Sequence, residues 1–232
     1  MGAFDFGGDY RKGQSGLLDP RLASAIRAFK RELIYNGSRR KLRPWLPVYG
    51  DAMTQAVMDL QRARELPVTG RIDPGTAKEL FRKRVETVEL GARFPHGTLG
   101  KKLWHESRFD PVAVGGEDDG DRGISQISLK RFGGYHDVTL REAYNPAFAI
   151  RWAAGYVTGK KTDIERRLGP GSAAKYDTLR AARASYNVGA HYAAEWAKAG
   201  FPQGDASAPK GSPAWWFARA TAYLSYIDHA NF

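Results

Sequence analysis

Apolar residues recur at helical spacing along most of the chain, and the interruptions are rich in glycine, proline and charge. Leu22, Ile26, Phe29 and Leu33 fall on one face of a helix predicted over LDPRLASAIRAFKRELI, with Asp19 as N-cap and Pro20 in its first turn. Met53, Val57 and Leu60 give a second helix through DAMTQAVMDLQRARE, which Leu66-Pro-Val-Thr-Gly70 breaks. Asp73-Pro-Gly-Thr opens a short third helix with Ala77, Leu80 and Phe81 as its apolar face. These elements predict a three-helix unit over residues 15–85, preceded by a glycine-rich, loosely ordered lead-in. The stretch from Tyr35 to Val48 reads as a loop. Its Arg39, Arg40, Lys41 and Arg43, beside Trp45, are either a solvated cluster or an anion-contacting surface. Gly91 to Gly97, GARFPHG, reads as a domain junction.

Helical spacing resumes in TLGKKLWHES, Leu140–Thr158, Tyr176–Ser185, Tyr192–Ala199 and Pro213–Asp228. Between Asp110 and Gly134 it fails, and the alternating Gly-Ile-Ser-Gln-Ile-Ser suggests a short hairpin or irregular insertion. The pattern predicts a mainly α protein of two domains, residues 1–90 and 91–232. No second copy of the three-helix unit occurs, which excludes a repeat array.

Composition narrows the chemistry. The 232 residues include no cysteine, which excludes disulfides, thiolate-bound zinc, iron–sulfur clusters and a thiol nucleophile. Five histidines show no ligand spacing, and no phosphate-cradling glycine loop is present, so neither metal nor cofactor is expected. The net charge is +11, spread as +6 over residues 1–90 and +5 over 91–232. Such a field attracts nucleic acid, anionic lipid and bacterial wall polymers alike. The longest apolar runs fall far short of the roughly 18–20 residues that a membrane span needs. The opening MGAFDFGGDYRKGQ lacks a basic-then-apolar pattern, which predicts synthesis without a signal peptide. The acidic GGEDDGD, Gly115–Asp121, has three readings: a solvated loop, a calcium site without the full twelve-residue pattern, or a source of a catalytic carboxylate.

Two sets of motifs carry resemblances. VYGDAMTQAVMDLQRARELPVTGRIDPGTAKEL, with Thr54, Val57, Leu60, Gln61, Leu66, Gly70, Thr76 and Leu80, resembles the peptidoglycan-binding domain type 1. The loop from Tyr35 to Val48 is longer and more basic than that family's. Farther on, LWHESRFDPVAV, then RGISQISLKRF, then RASYNVGA, then AYLSYI occur in order. This series resembles the soluble lytic transglycosylase domain, a goose-lysozyme-like fold, over most of residues 96–232.

The residues of these motifs have chemistry of their own. Glu106 ends a helix and is flanked by Trp104 and Phe109, whose apolar rings can desolvate its carboxyl and keep it protonated. A protonated carboxyl is what a glycosidic leaving oxygen requires from a general acid. Ser107 reads as a local hydrogen-bond partner at the substrate site, not as a nucleophile. The resemblance implies that Gln126, Tyr186 and Asn187 border a glycan cleft, with Gly189 allowing close approach. It also implies a late cleft tyrosine, Tyr223, with Tyr226 as its rival.

The implied activity is cleavage of the β-1,4 bond from N-acetylmuramic acid to N-acetylglucosamine by a lytic transglycosylase, leaving 1,6-anhydromuramic ends. A hydrolytic goose-type muramidase is the alternative, with Asp118, Asp119, Asp121 or Asp137 holding a water. A non-catalytic wall-binding protein is a third reading. A binding module before a catalytic domain, without a leader, resembles modular phage endolysins. These are made in the host cytoplasm and reach the wall through holin-type release. A monomer that neither binds nucleic acid nor inserts stably into membranes is expected.

Overall fold

The computed structural model describes residues 9–115, 120–129 and 138–229. The helices are α1 (Pro20–Tyr35), α2 (Asp51–Ala63), α3 (Pro74–Gly91), α4 (Thr98–Ser107), α5 (Leu140–Ala143), α6 (Pro146–Leu168), α7 (Ser172–Lys175), α8 (Thr178–Lys198) and α9 (Pro213–Asp228). Strands β1 (Val114–Gly115), β2 (Asp121–Arg122) and β3 (Ile127–Ser128) form a three-stranded antiparallel sheet in that order. The fold is mainly α with a small hairpin insertion, as the pattern predicts. The chain divides into two compact units, one ending at Arg151 and one beginning at Trp152.

In the first unit α1 starts where predicted, because the Asp19 carboxylate accepts from Arg21 N and Leu22 N. Asp73 caps α3 in the same way through Thr76 N. Ile26, Phe29 and Leu33 from α1, Met53 and Val57 from α2, and Leu80, Phe81 and Val85 from α3 are fully buried. Each such side chain contributes about 1.5–3 kcal/mol by leaving water. Leu60 is only half-buried. Its neighbour Gln61 is instead fully buried, accepting from Thr69 N and Gly70 N and donating to Arg71 O, Thr69 Oγ1 and Thr76 Oγ1.

Two expectations are corrected here. Residues 9–16 are not a loose lead-in: Tyr10 is buried and bridges Ile72, and Ser15 bridges Val48. The third helix is not short, and it continues for 18 residues to Gly91. Gly91–Gly97 forms the turn between α3 and α4, and aromatic packing continues across it. Rings run without a break from Tyr10 to Phe29 (4.8 Å between centroids), Phe81 (6.0 Å), Phe109 (6.0 Å) and Trp104 (6.2 Å). Tyr10 Oη donates to Asp110 Oδ1 at 3.1 Å, and Arg21 donates to the carbonyl of Val112 at 3.0 Å. Burial and then Asp110 hold the Tyr10 phenol above its ordinary pKa.

In the second unit α8 and α9 pack on each other. Trp196 is fully buried, sits edge-on to Phe201 and donates to Pro202 O at 2.7 Å. The two helices predicted on either side of residues 186–191 form the single element α8, kinked at Gly189 (φ 78°, ψ 161°). That backbone conformation is nearly exclusive to glycine.

Candidate active site

Helix α4 has no side chain of its own to cap it, because its N-cap is Gly97. The buried carboxylate of Glu89, from α3, accepts from Gly97 N (2.9 Å), Leu99 N (2.6 Å) and Gly100 N (2.9 Å). A carboxylate there satisfies orphan amides and complements the helix dipole. Ten residues later α4 ends, with Glu106 in its last turn and Arg108 and Phe109 both at positive φ. That left-handed pair turns the chain sharply into the loop leading to β1.

Glu106 is shielded but reachable, its side chain 18% exposed. Lys102, one turn earlier and 1% exposed, donates from Nζ to Glu106 Oε1 at 3.0 Å. Burial pushes the Lys102 ammonium below its ordinary pKa, against the opposing pull of Glu106 and Asp121. His105 is likewise lowered by burial, with Glu106 acting in the other direction. Trp104 tilts against Phe109 and carries the Arg108 guanidinium over its ring, 4.8 Å from the centroid.

Ser107 does not line an open site. It is fully buried, and its hydroxyl donates to Leu103 O (3.2 Å) and Ile124 O (2.8 Å). It therefore ties α4 to the loop before β3. Gln126 is half-buried at φ 49° and donates to Gly123 O at 2.9 Å. Gly123, at φ 73°, is required because a Cβ there would strike the backbone Ala143 O, whereas a Cβ at Gly115 would meet only the movable end of the Gln126 side chain. Buried Ser125 fastens the same turn to Ala149 O at 2.8 Å. Asp121 lies in β2, whereas Glu117, Asp118, Asp119 and Asp137 lie outside the described residues.

The other candidates belong to the second unit. Tyr186 is half-buried and meets Tyr156 edge-on at 4.5 Å, and Tyr156 stacks on Trp152 at 5.2 Å. Asn187 Oδ1 accepts from Arg219 Nε at 3.2 Å. No atom would meet a Cβ at Gly189, so within the protein its glycine answers to backbone conformation and not to crowding. Tyr223 is 4% exposed on α9, whereas Tyr226 is 65% exposed on the same helix. Arg219 also lies over Trp215 (4.9 Å) and Trp216 (5.7 Å), and Trp216 stacks on Tyr192 at 4.7 Å.

Sequence reasoning missed Lys102, Glu89 and Arg219. Only the first had a visible signal, the four-residue spacing of Lys102 and Glu106 on one helix.

A mainly α chain with a shielded carboxylate at a helix end and a small antiparallel sheet following it has the features of a lysozyme-like protein. Residues 98–206 match the family model of the transglycosylase SLT domain, and residues 46–80 match that of the peptidoglycan binding domain. Among curated proteins none matches the chain significantly. The chain thus carries a peptidoglycan-binding domain followed by an SLT transglycosylase domain, and it is an enzyme acting on peptidoglycan, a lytic transglycosylase or muramidase. Among the described residues no helix is long and apolar enough to cross a membrane.

Proposed function

We propose that the protein is an endolysin that cleaves the β-1,4 bond between N-acetylmuramic acid and N-acetylglucosamine as a lytic transglycosylase. The observation that carries this reading is Glu106, a carboxylate shielded to 18% exposure at the end of α4, inside the span that matches the SLT domain. The Glu106 carboxyl protonates the leaving glycosidic oxygen, and the bond from the muramic C1 to that oxygen breaks through an oxocarbenium-like state. The resulting carboxylate then takes the proton of the muramic 6-hydroxyl as that oxygen bonds to C1. Glu106 ends protonated again, no water is consumed, and the product is a 1,6-anhydro end.

Residues 1–90 would serve wall binding and residues 91–232 catalysis, in a monomer. Gln126, Tyr186, Asn187 and Tyr223 would contact glycan. The protein would be made in a phage host's cytoplasm and reach the wall by holin-type release. The second reading is hydrolysis, for which Asp121, on β2 beyond the helix that carries Glu106, would hold the water.

Glu106→Gln keeps the side-chain shape and removes the proton donor. Turbidity assays on stripped cells should show lysis falling by several orders of magnitude, and activity within about tenfold of wild type would exclude Glu106 as the acid. Mass spectrometry of the wild-type digest separates the two chemistries, since anhydro and reducing ends differ by one water.

A further inference from the structure

We infer that Lys102 is the positioning residue of Glu106: it orients the carboxylate from inside the fold and stabilises the charge left when the proton departs. This rests on the reading of Glu106 as the acid and base. Lys102 is 1% exposed, so its ammonium cannot reach a glycan, and its Nζ donates to the Glu106 carboxylate. That contact is a 3.0 Å charge-assisted bond to one oxygen, Oε1, which restrains the position of that oxygen relative to α4. Both residues stand on the same helix, whose N-terminus Glu89 anchors, so the pair does not depend on a loop for its geometry.

The energetics argue for a function beyond packing. A buried ammonium costs several kcal/mol of desolvation unless it is compensated, and an apolar side chain would fill the same volume without that cost. A general acid that must also serve as base gains from it. Burial favours the neutral carboxyl before the step, and the ammonium stabilises the carboxylate after it. The charged and titratable groups that act on the helix end around the pair include His105 on α4, Arg108 just beyond it and Asp121 on β2. Asp121 favours the charged ammonium of Lys102, and Arg108 disfavours the charged form of His105.

The test is the pH dependence of lysis by the full chain at saturating sacculi, for wild type, Lys102→Met and Glu106→Gln. Removing the cation should raise the alkaline limb of the rate profile by at least about one pH unit. The maximal rate should fall about tenfold, with little change in half-saturation. A limb within about 0.3 of a pH unit of wild type overturns the inference, even if the rate falls. If Lys102→Met does not fold, Lys102→Gln is read in the same way.

Carbon-13 titration of the wild type needs no variant fold other than Glu106→Gln, which identifies the Glu106 carboxyl signal by its loss. The Lys102 ε-carbon should report the Glu106 transition, and independent titrations overturn the pairing. Retained activity in Glu106→Gln instead removes the reading of the acid, separately from the pairing.

Discussion

The Glu89 carboxylate offers the sharpest test of how the two ends of the first unit are joined. Glu89→Ala removes the acceptor of three amides at the start of α4, all of them within a buried site. A hydrogen bond to a charged group is worth about 1.5–3 kcal/mol, and a buried donor left unpaired costs about 1–3 kcal/mol. The three bonds share one carboxylate and do not add, so the loss should be about 3–5 kcal/mol. In a chain of this size that lowers the midpoint of thermal unfolding by roughly 10 °C. Glu89→Gln keeps one acceptor oxygen and should cost about half as much. Urea unfolding of the full chain, followed by far-UV circular dichroism, measures both variants. A loss below about 1 kcal/mol for Glu89→Ala would refute the reasoning, because three buried amides would then have found other partners.

A piece comprising residues 91–232 loses the Phe81 ring from Phe109, the Glu89 carboxylate from α4 and the Tyr10 hydroxyl from Asp110. It should show no cooperative urea transition for α4 and little lysis, and a stable, fully active fragment would contradict this. Gly189→Ala meets no neighbouring atom, so its cost is that of the backbone alone, about 1–3 kcal/mol by urea unfolding. Trp45 is 72% exposed on a loop pinned by the buried Lys30, which donates to the carbonyls of Arg43 and Leu46. Trp45→Ala should weaken co-sedimentation with sacculi at moderate salt without changing the rate on soluble wall fragments, and undiminished pull-down would exclude the loop as a contact surface.

The sequence made some of this legible and hid the rest for physical reasons. Asp19, Asp73 and the periodic residues of α1 announced their helices because capping and amphipathicity are local. The extension of α3 past Phe81 was hidden because the side chain buried near its end is the charged Glu89, which breaks an apolar pattern. GARFPHG signals a turn, but nothing local tells whether aromatic packing stops at that turn or crosses it. That distinction depends on Phe109 meeting Phe81, 28 positions earlier in the chain. The motif around Glu106 pointed to the carboxyl, whereas the burial of Ser107 is a tertiary fact. The kink at Gly189 looked like a gap between two helices because a left-handed residue interrupts periodicity as a loop does.

The unbroken line of rings from Tyr10 to Trp104 also bears on where cutting can occur. A catalytic head on a flexible leash samples every bond within a sphere around its anchor. Here α1, α2 and α3 share a core with the helix that carries Glu106. A grip on the wall through the first three helices therefore sets that carboxylate at a fixed distance and bearing from the point held. The molecule would behave as a caliper, and its cuts should fall at a regular spacing from each anchoring site instead of at random around it.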